Sequence, residues 1–264
     1  MRNTQPILRP ILRMRITIAL SIIVALAAAP AARADRRSFV RAYEYATQPK
    51  DNLELEIWNE VVGPSEGPFA DARTVHRLEL EYGLTDHWDL ALYHTFMQGG
   101  PLDAGGARPG LTFDAWQLES RYRLAEKGEW PVDVMLYLEA ERPADFDAPW
   151  ELEEKLILAK DIGSFGLVAN LVAEQKLLSG RGFRMELDLG ARYELVPAVR
   201  VGVEAWAIQE RFAAGLTDTR YFAGPSLSLA SKRVWVQIGA GFGVPLGGVE
   251  TSLPFIRSVL GFNL

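Results

Sequence analysis

Residues 78–96 show the pattern that dominates this chain, an alternation of apolar and polar positions on both sides of a short polar turn. One face before the turn carries Leu78, Leu80 and Tyr82. One face after it carries Trp88, Leu90, Leu92, His94 and Phe96. A period of two predicts a β-hairpin, because successive side chains of a strand point to opposite faces. The alternation leaves open whether the apolar face packs into a protein core or meets lipid.

The same unit, an alternating run followed by a polar break, recurs from Leu53 to the end of the chain. The twelve runs are 53–63, 72–83, 87–97, 113–125, 132–142, 150–160, 166–177, 183–195, 199–211, 219–230, 233–244 and 254–264. Tight breaks alternate with looser ones rich in Gly, Pro and Asp, which is typical of outer-membrane barrels. The sequence therefore predicts an all-β fold, a single transmembrane antiparallel up-and-down β-barrel of about 12 strands over 53–264.

The first 34 residues have the features of a cleavable signal peptide. An arginine-rich start precedes an apolar run at 16–29, and Ala32 and Ala34 occupy the two positions that a signal peptidase recognises. The alternative is a retained anchor helix, but the run is short for a membrane span and Pro30 closes it. Residues 35–52 are predicted to lie in the periplasm or in the lumen, because a thirteenth strand there would start the barrel outside the cell.

Removal of the leader makes the chain strongly acidic. Five of the 28 basic residues and none of the 34 acidic residues lie in the leader, so 23 minus 34 gives a net charge of −11. This charge argues against nucleic acid as a partner, because its phosphates require a basic surface. The chain has no cysteine, so stability must come from its size or from a closed sheet, not from disulfides.

Aromatic residues on the apolar face form two groups at opposite strand ends. The group beside the tight turns and the C-terminus comprises Tyr82, Trp88, Tyr122, Tyr193 and Phe262. The opposite group comprises Phe96, Trp116, Trp150, Phe183, Tyr221 and Phe242. Leu, Val and Ala lie between them. Amphipathic rings settle at the two membrane interfaces, whereas a soluble core has no reason to place its rings at both rims. The apolar face is therefore predicted to face outer-membrane lipid.

The opposite face carries charges of both signs at mid-strand. Sixteen acidic and ten basic side chains belong to this face by parity. Those predicted to line a pore are Glu79, Glu81, Glu119, Arg121, Arg123, Glu139, Glu174, Arg184, Glu186, Asp188 and Glu204. A wet lumen with excess carboxylate predicts a passive, cation-preferring pore or transporter for small solutes. Ion pairs that fill the lumen would instead give a plugged structural or adaptor barrel, and a barrel of twelve strands is compatible with both.

Two short motifs carry a family resemblance. The chain ends in FIRSVLGFNL, in which Ile256, Leu260, Phe262 and Leu264 share one phase. This end resembles the last strand of bacterial outer-membrane β-barrels, except that Leu264 stands where those proteins usually have an aromatic residue. The turn YGLTDHW is similar to turns of uncharacterised transporter-like barrels found beside aromatic-degradation genes. The resemblance implies a Gram-negative outer-membrane location, assembly by the barrel-assembly machinery through the C-terminal strand, and small solutes as cargo. It implies nothing about oligomeric state.

Catalytic motifs are weak in this sequence. Some outer-membrane barrels modify lipids, and this chemistry needs a base beside a nucleophile. His94 is the one plausible base. The loop length places it opposite Trp116, so Ser120, the nearest hydroxyl in the same phase, is roughly 13 Å away at about 3.3 Å per residue. The sequence therefore predicts no catalytic residues, with a lipid hydrolase or deacylase as the weaker alternative.

Metal and cofactor motifs are also missing from the sequence. No HExxH, paired histidines or calcium loop occurs, so neither a metal nor a cofactor is predicted. The glycine-rich run at 239–243 alternates in strand phase, so we interpret its lumen-facing glycines as room for a neighbouring side chain or as a bend.

One position breaks the pattern. Glu154 falls in the lipid phase of its run, where a mid-membrane charge costs about 2–4 kcal/mol. A β-bulge or slipped register near 153–154 is the first interpretation, and a functional lipid-facing acid is the second.

Overall fold

The computed structural model describes residues 37–63, 72–99, 106–107, 109–177, 182–212, 215–216, 219–246 and 255–264. The predicted signal peptide at 1–34 lies outside the described residues. Every regular element in the described ranges is a β-strand. Within these ranges, no helix has the length and apolar character needed to cross a membrane.

Twelve long strands and one strand of two residues form the fold. They are β1 Leu53–Val62, β2 Arg73–Thr85, β3 Trp88–Gln98, β4 Thr112–Arg123, β5 Asp133–Pro143, β6 Glu151–Ile162, β7 Phe165–Lys176, β8 Phe183–Val196, β9 Val199–Phe212, β10 Gly215–Leu216, β11 Arg220–Ala230, β12 Val234–Val244 and β13 Phe255–Asn263. The observed bounds lie close to those predicted from alternation.

The sheet closes on itself. Each long strand pairs antiparallel with the next, β9 pairs with β11 beyond the short β10, and β13 pairs with β1. The predicted antiparallel up-and-down barrel of twelve long strands is therefore confirmed. The pairing also places His94 opposite Trp116 and Ser120 opposite Leu90, as the loop length predicted.

The predicted irregularity at Glu154 is wrong. Strand β6 pairs continuously with β7 through this position, and its register with β5 puts Glu154 opposite Leu138. Glu154 stays on the outer face, where the Gln175 side-chain amide donates a hydrogen bond to its carboxylate at 3.2 Å. The residue lies only three positions from the loop-side start of β6, and the cost of a lipid-facing charge falls toward the membrane interface. The hydrogen bond from Gln175 and the position near the end of the strand therefore accommodate the charge of Glu154 without a bulge.

The two faces of the wall differ as the alternation predicted. Leu136, Leu138 and Leu189 are 47–48 % exposed on the outside. Trp88 and Phe242, from opposite aromatic groups, are 41 % and 55 % exposed on the same face. The intervening side chains point inward and are largely buried. An apolar exterior of this kind is stable only against lipid, because a water-soluble monomer rarely exposes so large an apolar surface.

Candidate functional site: the barrel lumen

Residues 37–48, here called the lumen segment, pass through the interior of the barrel. The backbone amides of Val40 and Arg41 each donate to the Glu204 carboxylate of β9 at 2.7 Å. On the other side, the Tyr43 amide donates to the Asn170 side chain of β7 at 2.6 Å, and Asn170 donates back to the Tyr43 carbonyl at 3.1 Å. Side chains of the wall thus form hydrogen bonds with backbone groups of the lumen segment, which is not paired with any strand. Buried backbone groups need such partners.

Glycines in the wall make room for the segment. A Cβ atom added at Gly190 would lie 2.9 Å from the Phe39 ring, and one added at Gly239 would lie 2.7 Å from a Val40 methyl carbon. Both contacts are too short for a real Cβ atom, so a larger residue would displace the segment or the wall. The interpretation of lumen-facing glycines as space for a neighbouring side chain is confirmed for Gly239.

Two apolar clusters fix the segment inside the wall. Phe39, Ala42 and Tyr45 pack with inward-facing residues of β5, β6 and β7, including Met135 and Ile157, which are fully buried. Val40 packs in a second cluster with Trp206, Ile208, Phe222 and Phe255 on the opposite wall. The lumen is therefore not a uniformly wet tube. Its central part is a protein core that the segment completes.

The segment also supplies two cations to the carboxylates of the wall. The Arg37 guanidinium lies 3.1 Å from Glu56 and 3.6 Å from Glu79. Arg41 forms an ion pair with Glu186 and approaches Asp188 at 4.0 Å. Sequence reasoning left residues 35–52 in the periplasm or the lumen and did not identify these two arginines as partners of wall carboxylates. Their alternation within the run RSFVRAYEYAT was the available signal.

A second ionic cluster lies in the wall itself. Arg121 on β4 contacts the Asp89 carboxylate at 2.7 and 3.0 Å and Glu119 at 3.2 Å, and it also pairs with Glu81. All four side chains are at most 5 % exposed. One guanidinium thus holds three buried carboxylates, and removal of a buried partner leaves an uncompensated charge.

The structure places the predicted pore residues on the inner face of the barrel. Glu79, Glu81, Glu119, Arg121, Glu186, Asp188 and Glu204 are buried, and Arg123, Glu139, Glu174 and Arg184 are half-buried. Their role in conduction stays a prediction.

Two cavities lie in the lumen on the side of the long loops. The inner chamber, of about 150 Å³, is lined by charged residues of β2 and β5–β8, by four aromatic rings and by Arg41 of the lumen segment. The outer chamber, of about 270 Å³, lies nearer the loops and includes Arg73, Glu210 and Arg220. Arg41, Arg184 and Arg257 line both. A route with charged residues in both of its chambers, and with apolar residues in the outer one, therefore leads from the long-loop end of the barrel to the segment.

The three histidines are far from a catalytic arrangement. His94 is exposed on the outer face, and the Trp88 indole donates to Ser120 at 2.9 Å. His76 contacts the Asn59 side chain at 2.9 Å. His87, in the β2–β3 turn, contacts Glu126 at 2.7 Å, and this hydrogen bond lowers the pKa of the Glu126 carboxyl.

Three buried acids, Glu54, Glu56 and Glu81, bring carboxylate oxygens within 4.8 Å of one another. Each also has a protein partner. The Trp235 indole donates to Glu54 at 3.1 Å, Arg37 donates to Glu56, and Arg121 pairs with Glu81. The acids are therefore explained as members of the lumen network, and we assign no metal to them.

The closed strands, the exposed apolar band and its aromatic rims define an outer-membrane β-barrel. The chain is similar to solved barrels of this class. The outer-membrane channel COG4313 from Pseudomonas putida F1 matches 86 % of this chain and 100 % of its own, with 14 % identity and a TM-score of 0.60. The NanC porin and the KdgM porin each match 80 % of this chain at 10 % identity, with TM-scores of 0.57 and 0.55 and coverage of 100 % and 99 % of their own chains. No protein-family model and no curated protein sequence matches the chain.

Proposed function

We propose that this barrel is a passive conduit for small solutes across the outer membrane, with the lumen as the route. The observation that carries this proposal is the pair of chambers with charged residues in their linings that lead inward from the long loops to the lumen segment. The similarity to barrels described as an outer-membrane channel and porins supports the same class of function. Recognition of β13 by the barrel-assembly machinery stays a prediction.

The lumen segment is proposed to close this route. It lies in the interior, where it contacts β1, β7, β8 and β9 and lines the inner ends of both chambers through Arg41. Predicted cleavage before Asp35 would leave β1 as the segment's only covalent connection to the wall, and every other attachment would be a non-covalent contact. A segment tethered in this way can leave the lumen without any change in strand pairing. Conduction then requires the segment to move.

The open lumen is proposed to prefer cations. The inner face carries more carboxylates than basic groups, and Arg37 and Arg41 leave with the segment. Fixed charges in a narrow aqueous pore set its ion selectivity, and the low-dielectric wall strengthens their field. Glu119, Glu186 and Asp188 are the carboxylates proposed to contribute most.

Planar-bilayer recording in a KCl gradient tests this preference. The measurement uses protein that lacks residues 37–48, so that substitution of Glu186 and Asp188 does not act through Arg41. We expect a reversal potential on the cation side that falls toward zero in the triple variant Glu119→Gln, Glu186→Gln, Asp188→Asn. Substitution of Lys50→Gln at the periplasmic rim should leave the potential unchanged. Anion preference in the parent protein would contradict the selectivity proposal.

The close packing of the segment favours one alternative, a plugged structural barrel that never conducts. Both apolar clusters and the Glu204 hydrogen bonds would then serve stability alone. The two functions differ in one observable property. The complete chain of a structural barrel stays silent, whereas the complete chain of a conduit shows openings when the segment moves.

A further inference from the structure

The inner chamber contains a cation without a close ion-pair partner. Arg77 projects from β2 into this chamber, and its Nε is buried without a hydrogen-bond partner. Within the described part of the chain, Arg77 makes no ion pair within 4.0 Å. Burial of a guanidinium without a close partner is costly, so such a group is a candidate for a ligand contact.

Two carboxylates of the same chamber are bound only by neutral groups. The Gln117 amide donates to Glu141 at 2.5 Å, and the Tyr137 hydroxyl donates to Glu139 at 2.8 Å. Both acids lie on β5, whereas Arg77 lies on β2. The chamber thus carries one guanidinium and two carboxylates on different strands, and their charges attract one another across the chamber without direct contact.

The remaining charges of the chamber are already paired. Lys155 lies 2.8 Å from Glu153, and Arg184 lies 3.1 Å from Glu174. Arg257 is bound by Glu60 on the neighbouring strand. Asp188 lies 4.0 Å from Arg41. One guanidinium and two carboxylates of the described lining are therefore without an ion pair within 4.0 Å.

We propose that the inner chamber binds a small zwitterion that carries one carboxylate and one ammonium group. The carboxylate pairs with the Arg77 guanidinium, which offers planar, bidentate donors. The ammonium group lies between Glu139 and Glu141. The rings of Tyr43 and Tyr137, in edge contact at 5.1 Å, line the same chamber and suit the short apolar body and the cation.

The charge arrangement discriminates against simple ions. An anion that reaches Arg77 also meets the two carboxylates, and a cation that reaches these carboxylates also meets Arg77. A solute with both charges pairs with both parts of the wall. An ion with a single charge binds more weakly, because it leaves one part of the wall without a partner. The chamber, of about 150 Å³, has room for a molecule of amino-acid size.

This inference names a solute class for the proposed conduit and rests on that function for its biological meaning. Its test measures binding at equilibrium and does not require conduction. A silent bilayer together with specific binding would overturn the conduit alone. Open channels without binding would overturn the zwitterion site alone.

The experiment uses the purified, folded mature chain in detergent and three probes with four carbon atoms each. γ-Aminobutyrate carries both charges, butyrate only the negative one, and butylammonium only the positive one. Ligand-observed NMR titration reports weak affinities for all three. We expect the wild-type protein to bind γ-aminobutyrate about tenfold or more tightly than either single-charge probe, which corresponds to about 1.4 kcal/mol.

Two substitutions should change the preference in opposite directions. Arg77→Gln should weaken γ-aminobutyrate binding about tenfold and leave butylammonium as the best of the three probes. The double variant Glu139→Gln, Glu141→Gln should weaken γ-aminobutyrate to a similar degree and favour butyrate. Arg142→Gln removes an arginine from the outer face of the same strand as the two acids and should alter none of the affinities.

A folded barrel migrates differently in detergent gels before and after boiling. A variant that shows only the mobility of the unfolded chain has failed to fold. Such a variant is replaced by Arg77→Lys, which keeps the charge but loses the bidentate geometry and should bind γ-aminobutyrate more weakly than wild type. Equal affinities of the three probes for wild type would overturn the proposal. A uniform loss of all three in both folded variants would do the same.

Discussion

Deletion of residues 37–48 should raise the ionic conductance of the refolded barrel by at least about tenfold, because the deletion empties a lumen that otherwise has the packing of a protein core. The segment is hydrogen-bonded to β7 and β9 inside the barrel and buries Phe39, Val40 and Tyr45 at 2–3 % exposure. Its removal replaces these contacts with water. Planar-bilayer recording of the deleted and complete chains in the same salt measures the effect.

A matched control separates loss of the segment from general loosening. Lys50→Ala alters an exposed residue of the same N-terminal stretch that lies outside the lumen, and its conductance should equal that of the complete chain. Heat-modifiable gel mobility establishes that the deleted chain has folded. A folded barrel without the segment that conducts no better than the complete chain would contradict the proposal that the segment closes the lumen.

Substitution of Arg121→Met should lower the free energy of unfolding by about 3–5 kcal/mol, because removal of one member of a buried charge cluster leaves its partners unpaired. Arg121 contacts Asp89 and Glu119 directly and pairs with Glu81, and all of these side chains are almost fully buried. Three carboxylates would then share a low-dielectric site without a cation. Reversible urea unfolding into and out of lipid vesicles measures the change.

Arg123→Met is the matched control for this prediction. Arg123 lies two residues further along the same strand, at the periplasmic rim, where it donates to the Thr47 hydroxyl at 2.8 Å and to the backbone carbonyl of Asp86. Its removal leaves no buried carboxylate without a cation, so the free energy of unfolding should fall by only about 1 kcal/mol. Equal losses for the two variants would show that the Arg121 cluster contributes no more than a rim hydrogen bond.

The wall of the barrel could be predicted from sequence because its strands and their pairing depend on residues that are close together in the chain. Alternation assigns each side chain to a face, and the lengths of turns and loops assign the pairing of neighbouring strands. These two rules were sufficient to place His94 opposite Trp116. Alternation also assigned Glu154 to the outer face. The error was the bulge inferred from its charge, because a hydrogen bond from Gln175 on the next strand stabilises an outward carboxylate without a change of register.

The interior could not be predicted because its contacts are distant in sequence. Val40 and Glu204 are separated by 164 residues, and nothing in either neighbourhood marks their hydrogen bond. The roles of Arg37 and Arg41 as partners of wall carboxylates follow only from the path of the segment. Likewise, Gly190 faces the lumen by parity, but the ring that it accommodates belongs to the opposite end of the chain.

A reversible disulfide between the segment and the wall tests most directly whether the lumen is the route and the segment its closure. The natural chain has no cysteine, and the Val40 side chain lies against the space above Gly239. We therefore expect the double variant Val40→Cys, Gly239→Cys to form a disulfide inside the barrel. In one bilayer, the oxidised protein should show no openings at any voltage, and addition of reductant should restore the openings of the wild-type protein. Identical currents before and after reduction, or openings in neither state, would contradict the proposed conduit.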